Sequence, residues 1–190
     1  MNDLLKRLLT DEVTPELLAA ELRRHDGSVS ETDAESLAAV LVGFIGTVPD
    51  AIAWVIGASK DRQGGRAVAF GAGSVLVYLM DDDDLFPEST FGVLGLIDDA
   101  FLVHAFAAEV RHAYPHAGTS ATYRPPTPRE VAIVATLLPD GVGASLHRTA
   151  QTLVRTAGAL FATPADAIDL NTSLEPTLDV SAALRVHASA

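Results

Sequence analysis

The sequence contains no cysteine. Disulfides, thiolate metal sites and thiol redox chemistry are thereby excluded, and an intracellular location is compatible. Aromatic residues make up 6% of the chain, so its core is expected to be aliphatic. Basic residues are scarce as well: 13 Lys and Arg stand against 25 Asp and Glu, a formal charge of −12. That balance argues against nucleic acid, whose binding depends on cations placed on phosphates. It also argues against docking on an anionic membrane by charge alone. It favours solubility, and basic partners or metal ions as ligands. Long hydrophobic runs are missing too. The longest uncharged stretches run from Ala67 to Met80 and from Ser36 to Pro49, short of the about 20 apolar residues a spanning helix needs. They leave peripheral membrane contact open. The first residues, MNDLLKRLLTDEVTPELL, mix charges and hold no sustained apolar stretch, so they read as helix rather than as a signal peptide.

What is present is aliphatic and helical. At 190 residues and 48% apolar composition, the chain can form one domain with a sizeable core, or a domain and a small appendage. Leu4, Leu5, Leu8 and Leu9 share one stripe of a short first helix over 2–9. Thr14 then reads as an N-cap with Pro15 at the first helical position, and that helix runs to about His25. Ser30, with Asp33 three residues on, caps another that stops before Pro49. The segment PDAIAWVIGASK is a short apolar helix. After the polar loop KDRQGGR, the run AVAFGAGSVLVYLM is uncharged on every face and reads as a central buried helix, with Gly71 and Gly73 allowing close approach. A further helix spans about 98–113. Residues 115–127, rich in proline and glycine, form a link. Thr127-Pro128-Arg129-Glu130 opens the next helix, Leu138-Pro139-Asp140-Gly141 breaks it, and one more runs from about Val142 to Phe161. Thr163-Pro164 opens one more short turn, and residues 171–190 read as a weakly ordered tail. No strand alternation, internal repeat or heptad run is found. The expectation is an all-α, antiparallel bundle around a central helical hairpin at about 67–113. In that organisation 1–114 forms the main domain and 128–170 a C-terminal subdomain.

Between the two halves of that hairpin lies YLMDDDDLFPESTFGVLGLIDDAFLV, residues 78–103. Its acids sit in an otherwise core-like segment. The pattern resembles the YkvA-like family of helical domains, whose signature is Tyr-Leu, an Asp-apolar-apolar-Pro-acid turn, an apolar loop, Gly-apolar-apolar and Asp-Asp. The matching residues are Tyr78, Leu79, Asp84, Leu85, Phe86, Pro87, Glu88, Gly95, Leu96, Ile97, Asp98 and Asp99. The variant here is similar to the version attached to a membrane-embedded RING ubiquitin ligase. Without cysteine no RING exists, so ligase activity does not carry over. Where the family usually has a proline before its first aspartate, this chain has Asp82. The resemblance implies a helical hairpin and no established chemistry.

The acids admit three readings. In the first they are structural, with Asp98 capping the following helix, Asp84 capping the Leu85-Phe86-Pro87 turn, and the rest solvated. In the second Asp84, Glu88, Asp98 and Asp99 converge on a hard cation such as Mg²⁺ or Ca²⁺, although the spacing is not that of an EF-hand. In the third they form a docking surface for a basic partner. Asp81 to Asp84 follow a helix C-terminus, where the dipole disfavours them. Solvent, a cation or a basic residue such as Arg66 must therefore offset their charge.

Other candidates read as structural. Glu109 and His112 form half of a di-iron motif whose second half is missing, and so read as a surface pair. His104 reads as a satisfied core or interface histidine. Ser145 and His147 are two apart, which does not bring them together on a helix. Gly71-Ala72-Gly73 follows no strand and is no dinucleotide fingerprint. Trp54 reads as a core residue or interface anchor. The expected function is a non-enzymatic interaction or scaffold module, cytoplasmic, self-associating or binding a protein partner through apolar helix faces. The alternatives are a divalent-metal-dependent enzyme using the acidic cluster, and a protein on the membrane periphery.

Overall fold

All secondary structure among the described residues of this computed structural model is helical, and they contain no strand. The helices are α1 (Pro15–His25), α2 (Glu31–Gly46), α3 (Val48–Ala58), α4 (Gly65–Leu79), a 3-10 turn (Gly92–Leu96), α5 (Ile97–Ala113), α6 (Pro128–Ala135) and α7 (Val142–Ala162). The structure describes residues 13–62, 64–79, 92–118, 123–136, 138 and 141–162. The expected helix over 2–9, the acids Asp81 to Asp84, the Leu85-Phe86-Pro87-Glu88 turn, most of the 138–141 break, the Thr163-Pro164 turn and the tail lie outside those residues.

Local chemistry sets the helix starts. The Thr14 side chain accepts the Leu17 N–H, with Pro15 in the first turn of α1. Ser30 accepts the Asp33 N–H at 3.1 Å and donates its hydroxyl proton to the Asp33 carboxylate at 2.6 Å. At α6 the capping box is complete: Thr127 accepts the Glu130 N–H, and the Glu130 carboxylate accepts the Thr127 N–H. Each such cap stabilises its helix by about 1 kcal/mol. α2 ends at Gly46, and Thr47 (φ −92°, ψ 1°) separates it from α3, whose first turn holds Pro49. Taken together, Glu31–Ala58 is long and apolar enough to cross a bilayer by length and composition, with mean hydropathy 1.9 and 33% of its most apolar window buried.

The central helix is α5, not the helix at 67–80. Every residue from Ile97 to Val110 is buried, with α2, α3, α4, α6 and α7 all packed against it. α7 is its most extensive neighbour, more so than its hairpin partner α4. α4 buries Val68, Gly71, Val75, Tyr78 and Leu79 but turns Leu76 and Val77 outward. Uncharged composition therefore overstated its burial. The expected close approach holds at Gly71, where a Cβ would stand 2.6 Å from the Phe106 ring. It does not hold at Gly73, which is exposed with nothing within 4 Å. The described parts of the 115–127 link lie on the core. Ala117 and Tyr123 are buried, Arg111 donates to the Pro125 carbonyl at 2.6 Å, and Gly118 (φ +70°) sits against the Trp54 indole. Trp54 itself is a core residue.

The two glycines generate opposite predictions. Gly71→Ala should destabilise the chain by about 1–3 kcal/mol, because the Phe106 ring must shift from its packed position to admit the added Cβ. Gly73→Ala should raise stability by up to about 1 kcal/mol through helix propensity alone. Urea unfolding of the two variants measures both effects; equal effects would refute the assigned packing.

Candidate interaction surface and buried polar contacts

Four ionisable side chains are buried on α5: Asp98, Asp99, His104 and Glu109. Asp98 Oδ2 accepts the Tyr78 phenol proton of α4 at 2.9 Å. This contact brings together two of the motif residues named from sequence. The expectation that Asp98 caps its helix is not met, since the N-cap position is Leu96. Asp99 is 2% exposed, and Gly95 lies in the 3-10 turn. Asp84, Pro87 and Glu88 lie outside the described residues. Among the described residues, no group of three or more His, Asp or Glu side chains stands close enough to hold a metal ion.

His104 meets the end of α2 and the link. Its Nε2 stands 2.8 Å from the Phe44 carbonyl and 3.3 Å from Thr47 Oγ1, and its Nδ1 2.7 Å from the Tyr123 hydroxyl. A carbonyl only accepts, so Nε2 carries the proton and Nδ1 accepts from Tyr123. The Phe44 ring lies against the imidazole, with centroids 4.2 Å apart. Burial pushes the His104 pKa down to about 4, with the Phe44 carbonyl pulling weakly the other way. Burial, and then the negative charge of Asp50, push the Tyr123 phenol well above its usual range. A neutral histidine with both nitrogens engaged is a fastener rather than a proton carrier at neutral pH.

Glu109 is buried rather than on the surface, and it pairs with His147 of α7. Its Oε1 lies 2.9 Å from His147 Nε2 and accepts from Gln151 Nε2 at 3.3 Å, both on α7. His112, its expected companion, is exposed. No local signal marks the Glu109–His147 pair, because 38 residues separate its members.

Outside, α3 and α4 flank an apolar groove floored by Val103 and Phe106 of α5. Ile52, Val55 and Ile56 line one wall, and Ala72, Val75, Leu76 and Leu79 the other. Ile56 is 50% exposed, Leu76 45% and Val77 67%. Pro49, Asp50, Ala53, Gly57, Arg66, Ala69 and Gly73 complete the outward positions. Between Asp50 and Lys60, and again from Ala67 to Leu79, no charged residue occurs. Water-facing positions filled this way differ from α1 and the first turns of α2, whose outward residues include Glu16, Arg23, Arg24, Glu31 and Asp33. Compared with models of protein families, with curated proteins and with solved structures, the chain matches none.

The His104 contacts carry a pH prediction. The folded pKa of about 4 lies below the unfolded value near 6.5. Between the two, the unfolded chain binds the extra proton, so stability falls as pH drops through that window. The loss is on the order of 3 kcal/mol once pH reaches 4. His104→Gln should flatten the slope of stability between pH 6.5 and 5, where carboxylates contribute least. Tyr123→Phe, which deprives Nδ1 of its donor, should cost about 1–3 kcal/mol at pH 7. Chemical denaturation across pH reads both, and an unchanged slope in His104→Gln would remove the fastener role.

Proposed function

We propose that this chain is a non-enzymatic helical interaction module that docks another protein surface on the outward faces of α3 and α4. The observation that supports this reading is the apolar face itself, uncharged between Asp50 and Lys60 and from Ala67 to Leu79. Ile56 and Leu76 line an apolar groove, and Val77 stands exposed on the outward side of α4, on a chain of net charge −12. Exposed patches of this kind are what protein partners cover. The buried polar groups fit the same reading, because Tyr78–Asp98 and Glu109–His147 tie helices together and His104–Tyr123 ties the link to α5. The likeness of residues 78–99 to the YkvA-like family belongs to this proposal, as does a cytoplasmic location. The competing occupant is a bilayer, which the apolar Glu31–Ala58 stretch would favour.

Site-specific photo-crosslinking tests the reading. A benzophenone side chain replaces Val77 in one variant and Arg148, exposed on α7, in another, both in the intact chain inside cells. Protein adducts from position 77 and none from 148 are expected. Adducts absent from 77, or equal from both, would contradict the docking surface. In flotation with phosphatidylcholine vesicles the chain should stay with the soluble fraction; co-flotation would favour the bilayer.

A further inference from the structure

The docking face carries its own complement. Along α3 the outward stripe is Asp50, Ala53, Gly57 and Lys60, all exposed, at spacings of three, four and three that keep them on one helix face. Lys60 stands in the turn closing the helix, just after Ser59, which is still helical at φ −65°, ψ −16°. The stripe is symmetric about Val55. Turned end for end against itself, it sets Asp50 opposite Lys60 and Ala53 opposite Gly57. The charges have opposite sign at its two ends, so an antiparallel partner of identical sequence meets attraction at both ends, while a parallel one meets repulsion at both.

Three further observations support an identical partner. Asp50 and Lys60 take part in no ion pair among the described residues. They lie about 15 Å apart by helix rise, beyond the roughly 8 Å screening length at physiological salt, so they do not neutralise each other within one chain. Gly57 has no close neighbour among the described residues, since a Cβ there meets nothing within 4 Å. A glycine in the last turn of α3 still costs up to about 1 kcal/mol against alanine, and close approach of a second backbone is what a missing side chain permits. Lastly, residues 48–79 hold Asp50, Asp61, Lys60, Arg62 and Arg66, a net +1, which leaves −13 for the remainder of a −12 chain. Two such chains repel over most of their surface and approach most easily across this region.

We infer that the α3–α4 face is the contact between two copies of this chain, related by a two-fold axis that runs α3 antiparallel to its counterpart, with Asp50 of each copy against Lys60 of the other. Ala53 and Gly57 bring the two α3 backbones close at the centre, while Ile56, Leu76 and Val77 close the apolar flank. The inference rests on the reading of this face as a docking surface and names its occupant.

Sedimentation equilibrium of the full chain tests it. The mass should be twice the 19.9 kDa of one copy. Gly57→Leu fits the open space beside its own helix and improves helix propensity, so its circular dichroism and melting temperature should be no lower than wild type. Its dimer dissociation constant should nevertheless rise at least about 100-fold, because the added side chain overpacks the contact. Asp50→Lys and Lys60→Asp should each weaken the dimer by roughly tenfold, two exposed pairs being turned to repulsion. The double variant should return to within about threefold of wild type. A monomeric wild type, an undisturbed Gly57→Leu dimer, or a double variant no tighter than the single ones would overturn the inference. Position-77 adducts to a different protein, from a chain that sediments as a monomer, would overturn the second copy and leave the docking surface standing. Absence of both adducts and dimer would remove both.

Discussion

Everything in this fold follows from hiding α5. A helix whose residues are buried continuously from Ile97 to Val110 has no water-facing side, so it must be surrounded. α2, α3, α4, α6 and α7 supply that coat, and the described parts of the link are drawn onto it through Ala117, Tyr123 and Pro125. Apolar contact alone leaves the order of the coat loosely specified, since one aliphatic face fits many others. Polar side chains on α5 narrow the choice. Asp98 meets Tyr78 of α4, His104 meets the end of α2 and Tyr123, and Glu109 meets His147 of α7. Each is costly if left without its partner. Together they allow α4, α2 and α7 one place each around the axle.

The same arrangement explains why an apolar face remains outside. α3 and α4 bury one side against Val103 and Phe106, and α7 packs on α4 as well, but Ile56, Leu76 and Val77 stay exposed among the described residues. Apart from Asp50 and Arg66 in their first turns, their outward positions hold Pro, Ala, Gly, Ile, Leu and Val where α1 holds Glu and Arg. A chain of net charge −12 has ample charge to place there. Its confinement to the helix ends, together with a glycine whose Cβ would meet nothing within 4 Å among the described residues, is the physical basis for reading this face as a docking surface.

Local chemistry was legible in the sequence. Thr14-Pro15, Ser30-Asp33 and Thr127-Glu130 mark helix starts through contacts three residues long, and the structure places the starts there. The interruption before Pro49 was equally plain, and the helical class followed from these. The identity of the central helix was not. The stretch 67–80 looked most buried because it lacks charge, whereas 97–113 carries Asp98, Asp99, His104, Glu109, Arg111 and His112. Its burial depends on partners 20, 60 and 38 residues away, and no local pattern announces those. Of the motif residues, Tyr78 and Asp98 meet as a hairpin requires, while Asp84, Pro87 and Glu88 lie outside the described residues. The α3–α4 face was foreshadowed by its uncharged runs, but which side faces water needed the packing.

Native-state hydrogen exchange on the intact chain reads the central claim most directly. If α5 is the axle, amides from Phe101 to Val110 exchange only through global unfolding, and so slowest of all. Those of α1 and α6, which lie at the periphery, open earlier. Amides of α5 exchanging as fast as those of α1, or more slowly protected amides in α4, would contradict the account.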